Sequence, residues 1–345
     1  MPIPARARPD ACPGVFATHD AADGALARVR LPGGRVTAAQ LDVLAGCADD
    51  LGAGSVHLTS RGNVQLRGLA RDTGELVGRL SDAGLLPAPS HERVRNFLAS
   101  PLSGLAGGLV DVRPLVADLD AAVCARPALA GLPGRFLFAL DDGRGDVAAE
   151  EPDVCWQAVD EATGMLLLAG RPVRRVPLAG AVDALVAEAL RFLEVRGAAW
   201  RMRELPAFAD VPPLPRPEPP RGLVDGAMVL TPLFGVLTAA DLRLLGTDVV
   251  VTPWRSVVVS GHRPELLALS SDSRVSACIG RPGCAKSLAD VRADARRMSG
   301  HAHFSGCVRR CGKPRDAIDV VAAEGGYLVE GAFVPVDALL RKGSL

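Results

Sequence analysis

The chain of 345 residues carries 39 Lys plus Arg against 39 Asp plus Glu, so its overall charge favours neither a nucleic-acid partner nor an anionic membrane surface. Hydrophobic residues make up 48% and charged residues 23%, which excludes a disordered chain, and 37 Gly with 27 Pro point to short elements and turns rather than a long helical bundle. No apolar run reaches the ~20 residues of a membrane-spanning helix, and 8 cysteines in this length are too few for a disulfide scaffold, so thiols kept reduced in a cytoplasmic setting are expected.

Residues 1 to 14 read as a loose leader whose opening, MPIPARARPD, lacks the apolar core of a signal peptide. From Leu26, LARVRLPGG reads as a strand. The following VTAAQLDVLAGCADDLG reads as a helix, with Thr37 as N-cap and Leu41, Leu44 and Leu51 at helical spacing. In SVHLTSRGNVQLRGL, Val56 and Leu58 alternate with His57 and Thr59, and Val64 and Leu66 with Gln65 and Arg67, about the turn SRGN. That pattern is a hairpin with one polar face. A helix is predicted over 74–86, then the loop-rich HERVRNFLASPLSG with Arg93, Arg95 and Asn96. GRFLFAL and GMLLLAG read as strands, and 179–197 as an amphipathic helix. Prolines at 206, 212, 213, 215, 217, 219 and 220 forbid helix or sheet and predict an extended connector.

Beyond the connector the opening pattern returns: LTAADLRLLG stands against VTAAQLDVLAG, and VTPWRSVVVSG against LTSRGNVQLRG. An internal repeat with a period near 190 residues is too long for a solenoid and predicts two related half-bodies about a pseudo-twofold axis, with a site between them. Trp254 and Arg255 fall in the turn equivalent to Arg61 and Gly62. Trp254 there either stacks on a flat ligand or packs in the core.

Four cysteines cluster at Cys278, Cys284, Cys307 and Cys311, spaced C-x5-C, 22 residues, C-x3-C. Structural zinc sites favour two to four residues within each pair. Four soft thiolates flanked by Gly280, Gly283, Gly306 and Gly312 suit a [4Fe-4S] cluster better. Cys12, Cys47, Cys124 and Cys155 stand alone and read as small core hydrophobes. His301 and His303 alternate on HAHFSGC and can face one side together, as iron ligands or as ordinary strand residues. Arg61, Gln65 and Arg67 on the hairpin are either a solvated charged face or, through bidentate guanidinium chemistry, a carboxylate site.

ACIGRPGCAKSLADVRADA…HFSGCVRRCGKP resembles the cluster motif of the sirohaem-dependent sulfite and nitrite reductase superfamily, and VHLTSRGNVQLRGL its ferredoxin-like half-domain motif. The resemblance covers about 15 to 330. It implies an α+β, duplicated sulfite/nitrite reductase-like fold with two ferredoxin-like half-domains (15–72 and 221–265), an α+β domain without cluster cysteines (73–205), the linker 206–220, and a [4Fe-4S] domain (266–345). It further implies Cys278, Cys284, Cys307 and Cys311 as cluster ligands, Cys311 also bridging to a tetrapyrrole iron in the reductases. Arg61, Arg95 and Arg135 are implied as catalytic cations and, with Gln65 and Asn96, as substrate-binding residues.

GLPGRFLFALDD resembles the segment from which sulfite reductases present two lysines to their anion. Here those positions are Arg135 and Leu137, which suits a larger, less charged reactant. Within the superfamily the chain is most similar to the precorrin-3B synthase branch. That resemblance implies an oxygen-consuming hydroxylation of precorrin-3A with closure of a lactone, an external NAD(P)H-linked or ferredoxin-like electron donor, and a second, non-haem iron without assigned ligands. A monomer without nucleic-acid or membrane partner is expected. The alternatives are a sulfite or nitrite reductase holding sirohaem, and a non-catalytic iron–sulfur carrier or tetrapyrrole-binding protein.

Overall fold

A computed structural model describes residues 12–345, so most of the leader read at 1–14 lies outside the described residues. The first helix, Ala38–Leu51, begins at a reciprocal cap: Thr37 Oγ1 accepts from Gln40 N–H at 3.2 Å and Gln40 Oε1 accepts from Thr37 N–H at 3.1 Å. The repeat keeps the device. At the start of Ala239–Leu245, Thr238 and Asp241 exchange the same two bonds at 3.1 and 2.8 Å. Such caps are each worth about 1 kcal/mol, so both copies start their helix at the same place in the pattern.

Four five-stranded sheets follow, in two matched pairs. The first runs His19–Ala21, Gly24–Val29, Val64–Leu69, Ser55–Leu58, Val236–Thr238. The second runs Gly222–Val224, Ala227–Leu230, Val257–Ser260, Val249–Val251, Arg35–Val36. The fifth strand of each comes from the other copy: Leu237 pairs with Val56, and Val36 with Val249. This reciprocal exchange is the pseudo-twofold relation, and both copies share one core that includes Leu44, Val56 and Leu66 with Leu230, Leu237 and Val259. Burying each such side chain contributes roughly 1.5–3 kcal/mol.

The other two sheets also share a topology. Phe97–Ala99, Phe138–Asp141 and Val154–Ala158 are parallel, and Thr163–Leu168 and Arg171–Pro177 continue antiparallel. Ser276–Ala277, Ala302–Ser305 and Ile318–Ala323 are likewise parallel, and Gly326–Val329 and Ala332–Pro335 antiparallel. Each has its own core, one around Trp156 and Phe192, the other around Phe304 and Tyr327. The chain thus has the duplicated α+β fold its sequence implies.

Three local expectations are adjusted. The helix begun at Gly74 stops at Asp82 because Gly84 turns the chain at φ +71°. Of GRFLFAL only the last three residues are strand, at the start of Phe138–Asp141, with Arg135 in the preceding turn. The polar face of the hairpin is covered rather than solvated, Arg67 being 6% exposed. Among the described residues no helix is long and apolar enough to cross a membrane.

Candidate functional site: paired thiols beside a cationic cavity

Parallel pairing explains why distant cysteines meet. Ser276 lies opposite His303 and Ala277 opposite Phe304, so both strands end at the same edge, and both cysteine pairs follow there. Cys278 N–H donates to Phe304 O at 2.9 Å, and Gly306 N–H donates to Cys278 Sγ at 3.2 Å. Gly306 is required by contact, since a Cβ there would sit 1.9 Å from Ser287 Oγ. Burial pushes the Cys311 thiol up; Arg309 opposes, and the charges of Cys278, Cys307 and Cys284 push it further. Cys278, Cys284 and Cys307 thus lie near enough to Cys311 for their charges to act on it, and none of the four is in a disulfide. A set of four sulfurs with a backbone amide aimed at one of them fits an iron–sulfur cluster.

The two histidines separate. His303 is buried, with Nε2 3.2 Å from Cys311 O and Nδ1 2.8 Å from Ser276 Oγ. The carbonyl can only accept, so Nε2 carries the proton and Nδ1 accepts from the hydroxyl. Burial, then Arg255, hold its pKa down to about 4. A neutral ring with both nitrogens occupied is a spacer under the Cys311 loop. His301 instead faces the cavity, 3.9 Å from Asp316.

That cavity, of about 400 Å³, is walled by both half-domains, both larger domains and the connector. Gly312 and Lys313 line it, directly after Cys311. Its wall carries eight Arg and Lys side chains against the three carboxylates of Glu150, Glu218 and Asp316. Some cations are already engaged: Arg201 on Asp153 at 2.7 Å, Arg216 on Glu150 at 2.9 Å and Arg274 on Glu218 at 3.2 Å. Arg61 and Arg255 instead donate to the backbone carbonyls of Gly134 and Gly312, at 3.4 and 2.9 Å, while Asp153 attracts the Arg61 charge without bonding to it among the described residues. Burial, then Arg201, bring the Arg61 pKa down to about 10. Trp254 lines the cavity and its indole N–H donates to Glu150 Oε1 at 3.0 Å.

The residues nominated from sequence divide. Arg61 reaches the cavity. Gln65 lies behind it, accepting from Arg28 at 3.5 Å. Arg95 does not reach the cavity: it forks onto Asp120 with both bonds at 2.6 Å and is 3% exposed. Asn96 donates to Arg93 O and Gly134 O at 3.0 Å, which buttresses the carbonyl used by Arg61. Arg135 is turned outward over the Trp200 ring, 5.4 Å from its centroid. Leu137 takes the cavity position, buried.

Sequence reasoning missed Arg28 and Arg30, which lie close enough to Arg61 to repel it or one another. Burial, then Arg28, hold Arg30 down to about 9, and the buried Nε atoms of Arg28 and Arg30 find no hydrogen-bond partner among the described residues. The only signal was a charge pair inside an apolar strand, ARVR. Cys12 lies among these cations and is half-buried. Cys47 and Cys155 are fully buried, while Cys124 is half-buried.

Comparison with known proteins places these features among relatives. Residues 19–80 match the nitrite/sulfite reductase ferredoxin-like half domain. A precorrin-3B synthase from a Sinorhizobium species is 27% identical over 391 aligned positions, covering 94% of this chain and 83% of its own. A ferredoxin–nitrite reductase of Synechococcus elongatus is 37% identical over 140 positions, 38% of this chain and 27% of that protein, so only about a quarter of its length is spanned. The structure of the Mycobacterium tuberculosis NirA protein superposes with a TM-score of 0.66 at 19% identity, covering 92% of this chain and 79% of that one.

Proposed function

From a chain with the nitrite/sulfite reductase-like fold that resembles precorrin-3B synthase along nearly its whole length, we propose an oxidoreductase acting on a polycarboxylate tetrapyrrole, specifically a precorrin-3B synthase that hydroxylates and lactonises precorrin-3A with O2. The observation that carries this reading is the cavity wall. Its cations come from every unit of the fold, as a large carboxylate-rimmed ring requires, and Leu137 stands apolar where a small-anion reductase needs a second cation while Arg135 points away.

Cys278, Cys284, Cys307 and Cys311 would hold a [4Fe-4S] cluster, which when bound supplies electrons one at a time. The chain's own residues do the rest. Arg61 and Arg255 would grip carboxylates with guanidinium groups that are held by backbone carbonyls rather than by carboxylates. Arg28 and Arg30 would raise the positive potential behind Arg61, and Gln65 would orient Arg28. Trp254, anchored by Glu150, would offer its ring face to the macrocycle. Leu137 and the connector prolines would exclude water from the reacting edge. Arg95 and Asn96 would support rather than touch the substrate, and the electron donor would be external.

The test is anaerobic purification and cluster reconstitution, followed by precorrin-3A, a reductant and isotopic O2, with mass analysis of the pigment. One labelled oxygen, in the new hydroxyl of a lactone-bearing pigment, is expected. A pigment returned unlabelled overturns the reading. A second reading, a sirohaem-holding nitrite or sulfite reductase, is favoured by the higher local identity to nitrite reductase; stoichiometric sirohaem in purified protein, with nitrite or sulfite turnover, selects it.

A further inference from the structure

The hairpin that carries Arg61 and Gln65 continues into Arg67, and Arg67 crosses to the thiol loops. Its Nε and Nη2 fork onto Asp23 at 2.9 and 2.8 Å, and Nη2 also donates to Gly283 O at 2.9 Å. Asp23 sits in the turn between strands His19–Ala21 and Gly24–Val29. The loop is seated tightly there: a Cβ on Gly283 would lie 3.0 Å from Asp23 Oδ2 and 2.9 Å from Ile279 Cγ1. A second arginine reinforces the seat. Arg292 Nε donates to Cys278 O at 3.2 Å, and its Nη2 stands 3.3 Å from Nδ1 of His57, on the strand beside Arg67. Burial, then the cations Arg292 and Arg67, keep His57 neutral with a pKa down at about 3, so it accepts.

Cys278 and Gly283 bound the segment between the first two thiols, and these two arginines hold a carbonyl at each end without touching sulfur. We propose that Arg67, aligned by Asp23, is a positioning residue that fixes the Cys278–Cys284 loop on the carboxylate-binding hairpin, so that two of the four thiols are set in place by the protein itself. A guanidinium divided between a carboxylate of its own sheet and a backbone carbonyl of another domain is suited to this, because the fork fixes the direction of its remaining N–H. The proposal rests on the cluster reading only for the second of its two readouts.

The experiment compares Arg67→Gln and Asp23→Asn in the full chain. In cluster-free protein, amide hydrogen exchange over 279–286 should quicken about tenfold or more in Arg67→Gln, the loss expected of a charge-assisted hydrogen bond, and less in Asp23→Asn, with the helix Ala181–Val195 unchanged. In reconstituted protein the two variants should move the cluster potential in opposite directions. Arg67→Gln leaves the Asp23 charge unbalanced and lowers it; Asp23→Asn leaves the Arg67 charge unbalanced and raises it. A merely structural pair would shift both the same way or neither. Unchanged exchange in both variants overturns the proposal, as do parallel potential shifts. Should Arg67→Gln fail to fold, Asp23→Asn decides alone by the same two signs. If the natural chain takes up no cluster, the functional reading falls while the exchange readout still judges Arg67.

Discussion

The two larger domains repeat one sheet topology and finish the same strand differently. After Phe138–Asp141 comes a carboxylate loop; after Ala302–Ser305 come Cys307 and Cys311. In the first, Asp141 accepts from the backbone N–H of Gly143, Gly145, Val147 and Ala148 at 2.9–3.2 Å. Ser100 bridges Asp146 and Asp142 N–H at 2.6 and 3.1 Å, and Arg144 forks onto Asp142. Asp141, Asp142 and Asp146 are each bonded there by the loop's own groups or by Ser100. In the second, the thiols stay half-buried or exposed, and the amide of Gly306 points at sulfur. One scaffold thus supports a self-satisfied loop in one copy and an open donor set in the other, and side-chain chemistry alone separates them.

Replacing a thiol tests the open loop most severely. Cys307→Ser or Cys278→Ser should abolish iron and acid-labile sulfide uptake after reconstitution, read by metal analysis and visible absorption, whereas Cys155→Ser, buried beside Asp141, should leave iron content unchanged. The closed loop should answer in stability instead. Asp141→Ala orphans four backbone donors, and urea unfolding should show a loss of about 3–5 kcal/mol with no change of iron per folded chain.

A smaller effect is expected in the cavity. Arg61→Leu should weaken binding of precorrin-3A, followed by absorbance titration, about 10–100-fold, the range for one charged hydrogen bond. Arg95→Leu should lower stability with little change in that binding, because its partner is Asp120.

The smallest effect concerns pH. Burial, then Asp141, raise the Asp146 pKa to about 7. The folded state therefore binds this proton more tightly than the unfolded chain, and the associated stability, full below about 4, is lost as pH rises toward 7. The melting temperature of Asp146→Asn should fall less between pH 5 and 8 than that of the natural chain.

Local signals were legible and long-range ones were not. The Thr37 cap, the Ser55–Leu69 hairpin, the repeat and the cysteine pairs each reside in a few adjacent residues, where periodicity and turn chemistry act directly. The strand exchange at Val236–Thr238 depends on pairing across some 180 positions, to which a two-residue alternation is blind. Arg95 misled for a related reason: its partner Asp120 lies one helix away, and a guanidinium at a suggestive position is free only if no carboxylate reaches it first. Arg201, Arg255 and the pair Lys313 and Arg315 come to the cavity from three different loops, so no single stretch of sequence advertised them all.

The exchanged fifth strands decide what a nick would do. Cutting the chain within 206–220 would leave Leu237 laddered to Val56 and Val249 to Val36 over a shared core, so the pieces should remain together. Either fragment made alone would lack its closing strand and present a bare sheet edge, which makes the two halves complementing partners in co-expression and poor proteins apart.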